Sequence, residues 1–324
     1  MSKQYFLKEF NTLSYILQSS SNILIIGHSS PDADAVGSIV ALREFIKKHY
    51  SADVTLGCYD AFPKSLMTLI PDTFLIHPED LDITSFDVII GCDSVDRGFN
   101  DVIKDASDSC VTVIIDHHHD TITRADLFMN DANYSSTCEI LYNFFKFTHK
   151  SITKNIATAL LAGIIFDTGA FQHSNTTAET LSAASNLVKG GGSITKINRA
   201  LFSNRNVETL NLWGRALERT KFHKKTGLAV AAITTDDLNG YLINSGEISN
   251  IASMLTTVPD VRAALIVYQS DPNTIKGSLR AEKHGGIDVS AIAHTLGGGG
   301  HKLASGFSIP GKIKTLPNGN WKIV

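Results

Sequence analysis

At 324 residues, with 43% hydrophobic and 19% charged side chains, the chain has an ordinary globular composition and a length that two domains fill. A formal net charge of −3 and no Lys/Arg run longer than two exclude the broad basic surface that long nucleic acid needs for non-specific binding, so phosphorylated ligands are expected to be short and held in a pocket by a few cations. The longest apolar run, Ala157–Phe166, is too short to span a bilayer, Met1–Glu9 lacks a signal-peptide core, and the four scattered cysteines (Cys58, Cys92, Cys110, Cys138) read as buried reduced thiols, so a cytoplasmic protein without membrane partners is expected.

The first half alternates strand-like runs with helical periods, the signature of a parallel α/β sheet. Strands are expected at 22–27, 53–59, 74–77, 88–93 and 111–116. Residues 35–49 read as an amphipathic helix with Ile39, Leu42, Phe45 and Ile46 on one face. Helices follow over 137–149, 153–166 and 176–190, the last stopped by Gly190-Gly191-Gly192, and 193–202 and 207–222 read as connecting helices. The pattern restarts after Lys225-Thr226-Gly227. Strands are expected at 228–234, 261–269, 274–281 and 304–309, helices at 247–255 and 289–295, and a glycine-rich loop at Gly297–Gly300. The expected division is a parallel-sheet domain over 1–190, a helical linker over 191–224 and a smaller α/β domain over 225–324.

Four apolar segments of the first half deliver acids or imidazoles at their ends. Ile23–Ile26 leads to His28-Ser29-Ser30-Pro31-Asp32-Ala33-Asp34, Val88–Cys92 to Asp93, Val111–Ile115 to Asp116-His117-His118-His119-Asp120, and Leu160–Phe166 to Asp167. In open parallel sheets, ligands gather at the carboxyl ends of strands near the switch point of the strand order, so residues some ninety positions apart are expected to converge. Taken singly, each group has a structural alternative: Asp-x-Asp after a proline is also a turn and helix cap, Asp93 a loop cap, the histidine triplet a solvated turn, and Asp167-Thr168-Gly169 a turn. A carboxylate and imidazole set without thiolates suits Mn²⁺, and secondarily Mg²⁺ or Co²⁺. Asp93 with the i, i+2 pair Asp32 and Asp34 can bridge and flank two ions, which together clamp the oxygens of a phosphoryl displacement.

In this order the motifs resemble those of the DHH-family phosphoesterases, the group of RecJ exonucleases, family II pyrophosphatases and nanoRNase/phosphoadenosine-phosphate phosphatases. The residues that carry the resemblance are His28-x-x-Pro31-Asp32-x-Asp34, Asp93, Asp116-His117-His118 and Asp167-Thr168-Gly169, and Gly298-Gly299-Gly300-His301-Lys302 resembles the glycine-rich motif of the DHH-associated C-terminal domain. The resemblance implies two Mn²⁺, one held by His28 and Asp32, the other by Asp34, His117 and Asp167, with Asp93 bridging. It implies that His118 faces the substrate and that Asp116 orients the imidazoles, while His119 is left on the surface. Ala33 replaces the glycine common in the family, and Gln172-His173 stand where relatives place Arg-Tyr.

Arg97, Arg280, Gly299, Gly300, His301 and Lys302 are expected to bind the substrate, with the active site in the interdomain cleft. The expected function is a Mn²⁺-dependent phosphohydrolase. Its expected substrates are short oligoribonucleotides, linear dinucleotides of the pApA kind, or 3′-phosphoadenosine 5′-phosphate, cleaved by hydroxide attack at a two-metal centre. Long duplexes are not expected to bind, and a homodimer is left open. The alternatives are a nucleotide-sensing module on a degenerate phosphoesterase fold, or another phosphatase or pyrophosphatase of the same superfamily.

Overall fold

The near-continuous apolar runs of the first half lie side by side in one sheet, as strands covered on both faces do. The structure, a computed structural model, describes residues 3, 5–70, 73–93, 95–119, 121–202, 207–238, 245–282, 285–316 and 321–324; the side chains of 245–247 and 301 are outside the description. The chain divides into two compact units, Met1–Asn204 and Arg205–Val324. Among the described residues no helix is long and apolar enough to cross a membrane.

In the first unit, α1 (Leu7–Ser19) precedes β1 (Asn22–Gly27), α2 (Ala33–His49) and β2 (Asp53–Cys58). Then come β3 (Val88–Cys92), α3 (Phe99–Ile103), β4 (Val111–Asp116) and β5 (Leu127–Asn130), and the unit closes with α4 (Thr137–Phe147), α5 (Lys154–Asp167), α6 (Ala178–Lys189) and α7 (Ile194–Phe202). The five strands are all parallel, in the order β2-β1-β3-β4-β5. The chain leaves β1 for one side and returns to β3 on the other, so the switch point lies between the ends of β1 and β3, where His28 and Asp93 follow.

Helix α2 starts one turn after β1 because the Asp32 side chain caps it, accepting from the Asp34 and Ala35 amides at 2.9 and 3.1 Å. Its first turns run close along α5, and glycine permits the approach. A Cβ on Gly163 would lie 2.5 Å from Asp34 Oδ1 and 2.4 Å from Cys138 Sγ. Farther along, Phe45 of α2 stacks on Phe145 of α4 with centroids 3.8 Å apart.

Two expectations in this unit need correction. Residues 74–77 form no strand; only Ile76 bridges to Gly57, while Phe74 is exposed. Pro78 follows immediately and opens a short 3₁₀ turn, which ends strand pairing. The fifth strand is instead Leu127–Asn130, whose side chains alternate between buried and half-buried.

The second unit holds α8 (Val207–Glu218), β6 (Lys221–His223), β7 (Leu228–Ile233), α9 (Thr235–Leu238) and α10 (Ser245–Thr256). These are followed by β8 (Ala263–Asp271), β9 (Thr274–Ala281), α11 (Val289–Thr295), β10 (Gly299–His301), β11 (Ala304–Pro310), β12 (Ile313–Thr315) and β13 (Trp321–Ile323). Its six-stranded mixed sheet runs β10-β11-β9-β8-β7-β6, and β12 pairs with β13 separately. The helix expected to reach residue 222 stops at Glu218, and Phe222 lies in the edge strand β6. The glycine-rich stretch is not wholly a loop either. Gly299–His301 pair antiparallel with β11, and Gly300, at φ +134°, takes a conformation that a side chain would strain.

Candidate metal centre

Asp93 directly follows β3 and is the most constrained residue of the site. It is a non-glycine residue at φ +62°, its amide donates to Ile115 O at 3.0 Å, and it is 1% exposed. Such a conformation persists only where the surroundings over-determine it. Around its carboxylate the strand and helix ends converge. His28 Nε2 lies 3.5 Å from Asp93 Oδ2, His118 Nδ1 lies 3.4 Å from Oδ1, and His117 Nε2 lies 3.8 Å from Oδ1. His117 Nε2 is also 3.0 Å from Asp167 Oδ2 and 3.8 Å from Asp34 Oδ2.

Three overlapping groups result, each with its ligand atoms within 4.8 Å of one another: His28/Asp32/Asp93, Asp34/His117/Asp167 and Asp93/His117/His118. The structure thus brings together His28, Asp32, Asp34, Asp93, His117, His118 and Asp167, while His119 is exposed.

Hydrogen bonds fix the tautomers. His28 Nδ1 is 2.7 Å from Ser29 O, so it carries a proton committed there, and Nε2 faces Asp93 Oδ2. Arg97 Nη1 sits 3.5 Å from the same Nδ1, a contact of proximity once that proton is placed. Likewise Asp116 Oδ1 takes the His118 Nδ1 proton at 2.8 Å and the amides of His117 and His118 at 2.7 and 3.1 Å; its Oδ2 accepts from Thr121 Oγ1 at 3.0 Å. Asp116 therefore orients the His118 ring directly, and reaches His117 through its backbone.

The electrostatics follow from burying several acids in one place. Burial raises Asp32 to about 6, helped by Asp93 and Asp167, and raises Asp34 well above the carboxylate range. Burial opposes the charge of His117, but its bond to Asp167 outweighs this and pulls it well upward. Burial also opposes ionisation of Asp93 and Asp116, yet the facing His28 imidazole and the His118 bond respectively hold them below the usual range. Protons on imidazoles and acids thus balance a charge that the fold itself leaves uncompensated.

A divalent cation fits this balance. His28 Nε2 and Asp93 Oδ2 are both buried without a hydrogen-bond partner and face one another. The donors are oxygen and imidazole nitrogen, while burial pushes the neighbouring Cys92 and Cys138 thiols well up, away from thiolate chemistry.

Other side chains that the sequence did not single out as part of the site complete it. The amides of Thr137 and Cys138 at the start of α4 hold the two Asp34 oxygens at 2.6 and 3.0 Å, and Thr137 Oγ1 donates to Asp93 Oδ1 at 3.3 Å. Asn175 Nδ2 reaches both Asp167 O and Ser135 O. Ser136 caps α4, its Oγ accepting from Glu139 N at 3.1 Å, and the grip on Asp34 is additional.

In the second unit, Arg280, Ala304 and His301 share one row across β9, β11 and β10, with Gly299 and Gly300 beside it. The Arg280 guanidinium donates to Leu279 O at 2.9 Å, and burial lowers its pKa. Lys302 is exposed; the His301 side chain lies outside the described residues.

Residues 22–164 match the DHH family, N-terminal domain, and residues 225–317 match the DHHA1 domain. Over 293 residues the chain is 27% identical to the bifunctional oligoribonuclease and PAP phosphatase NrnA of Bacillus subtilis, covering 89% of each protein. Over 245 residues it is 28% identical to a probable manganese-dependent inorganic pyrophosphatase of Streptococcus agalactiae, covering 70% of this chain and 76% of that one. Among solved structures, an exopolyphosphatase-related protein from Bacteroides fragilis aligns with a TM-score of 0.86 at 23% identity, over 95% of this chain and 92% of that one, a likeness of fold.

Proposed function

This chain is a DHH-family phosphoesterase with a DHHA1 domain, and so a hydrolase; from that premise we propose that it cleaves short oligoribonucleotides and linear dinucleotides of the pApA kind, and removes phosphate from 3′-phosphoadenosine 5′-phosphate, with two Mn²⁺ at the acid cluster. The observation that carries this reading is the pair of unpartnered buried atoms, His28 Nε2 and Asp93 Oδ2, amid acids that the fold leaves short of positive charge.

One ion is assigned to His28 and Asp32, the other to Asp34, His117 and Asp167, with Asp93 shared. Bound there, Mn²⁺ supplies neutralisation of phosphate charge and activation of water. The chain's own residues do the rest. Asp116 keeps the proton on His118 Nδ1, which leaves Nε2 to hold or deliver a proton at a phosphate or leaving-group oxygen. Arg97, beside His28, is assigned to a substrate phosphate. In the second unit, Arg280, Gly299, Gly300, His301 and Lys302 are assigned to the remainder of the nucleotide.

The test is a substrate panel of pApA, RNA from two to ten nucleotides, 3′-phosphoadenosine 5′-phosphate and pyrophosphate, assayed with Mn²⁺ and with EDTA. Mn²⁺-dependent release of mononucleotide from the dinucleotide and short RNA is expected, with little turnover of pyrophosphate. Turnover confined to pyrophosphate, or turnover that survives EDTA, would contradict the reading.

A further inference from the structure

The two amides that hold Asp34 belong to a turn that is itself held by a charge from elsewhere in the chain. Glu139, in the first turn of α4, is fully buried. Its Oε2 accepts from Ser135 N at 3.0 Å, Ser135 Oγ at 2.7 Å and Thr180 Oγ1 at 3.0 Å, which pins the 135–137 turn from behind. Its Oε1 accepts from Lys3 Nζ, and the Lys3 side chain is only 11% exposed. The same ammonium donates to Thr177 Oγ1 at 3.0 Å and lies 5.2 Å from the Tyr134 ring centroid. One buried ion pair therefore joins residue 3, the start of α4 and the start of α6.

We infer that Lys3 and Glu139 are a positioning pair that holds the start of α4 where its amides orient the carboxylate of Asp34. The inference rests on the metal reading given above and deepens it. The path is short and continuous. Glu139 fixes Ser135, Thr137 and Cys138 grip Asp34, and Asn175 ties Ser135 O to Asp167 O. Asp34 and Asp167 belong to the same ligand group, with His117, while the group of His28 and Asp32 meets this path only at the shared Asp93, through Thr137 Oγ1. The pair should therefore tune one ion position more strongly than the other. Removing only the ammonium leaves a buried carboxylate without its counter-charge, the costly way to break such a pair, whereas neutralising both partners does not.

The experiment is a Mn²⁺ binding isotherm on the full-length protein, read from the EPR signal of free Mn²⁺, with thermal melting of the metal-free protein alongside. The parent, Lys3→Met, Glu139→Gln, Lys3→Met with Glu139→Gln, Lys3→Arg and Asp167→Ala are compared. Lys3→Met is expected to weaken, by roughly tenfold or more, the same binding step that Asp167→Ala removes, and to weaken the other step distinctly less. The double variant is expected to recover most of the loss, a non-additivity that a pair acting together requires, and Lys3→Arg to retain parental affinity. If Lys3→Met does not fold, Glu139→Gln alone must weaken that same step. Unchanged affinity in folded Lys3→Met, or equal weakening of both steps without recovery in the double variant, overturns the inference. A parent that binds no Mn²⁺ overturns the metal reading itself.

Discussion

The two units carry opposite charge. Residues 1–204 hold 15 Lys and Arg against 23 Asp and Glu, a net of −8, and residues 205–324 hold 14 against 9, a net of +5. The whole-chain value of −3 averages the two. The contrast persists in what each unit buries. The first encloses Asp34, Asp93 and Asp116 with His28, a cluster without a lysine or arginine ion pair among the described residues and balanced by shared protons, whereas its buried Glu139 is paired with Lys3. The second desolvates the Arg280 guanidinium with no acid within ion-pair distance among the described residues. Burying uncompensated charge is unfavourable, and under the proposed function each unit would be relieved by a ligand of the opposite sign, a metal cation in one and a phosphate in the other. Chemistry is therefore assigned to the anionic unit and grip to the cationic one.

Substitutions break this division in different ways. Asp93→Ala should reduce hydrolysis to background and lower bound Mn²⁺, while the apo protein still folds because carboxylate repulsion is relieved; turnover assays with metal analysis would check this, and near-parental turnover would defeat the shared-ligand assignment. His118→Ala should cost roughly a hundredfold in kcat, the scale of a positioned proton-transfer or charge-stabilising group, with Mn²⁺ content close to parental. Loss of metal in His118→Ala, with retention in His117→Ala, would exchange the roles of the two imidazoles. Arg280→Ala should raise KM about tenfold and change kcat by less than about threefold, because a grip away from the reacting bond is uniform binding. A fall in kcat at constant KM would move Arg280 into the chemistry and erase the contrast.

The smallest expected effect is on pH. The raised Asp32 carboxyl, at about 6, must lose its proton before it binds metal. Apparent Mn²⁺ affinity should therefore fall as pH drops through about 6 and rise above it, continuing upward because Asp34 and His117 also hold protons well above their ordinary ranges. Proton release on Mn²⁺ binding, followed by calorimetry in two buffers, measures this. The KM contribution of Arg280 should be flat over the same range, since guanidinium stays charged.

The clustering of the candidate ligands was legible in the sequence because most of them end or closely follow an apolar run, and a parallel sheet gathers strand ends. Asp93 after Val88–Cys92 and Asp116-His117-His118 after Val111–Ile115 needed only that rule. The residues that hold the ligands were not legible in the same way. Thr137 meets Asp34 across 103 positions, and Lys3 meets Glu139 across 136, separations that no local pattern encodes. Short elements escaped too. The strand Leu127–Asn130 offers only four alternating residues, and the helix Leu7–Ser19 buries a stripe of three, Phe10, Leu13 and Leu17. The 74–77 run misled because its apolar residues precede a proline that ends the pairing.

The account stands on the acids of the first unit holding two ions, and anomalous diffraction from crystals grown with Mn²⁺ tests that most directly. Two peaks about 3.5–4 Å apart are expected, one beside His28 and Asp32, the other beside Asp34, His117 and Asp167, with Asp93 touching both. A single peak, or peaks away from His28 Nε2 and Asp93 Oδ2, would contradict it.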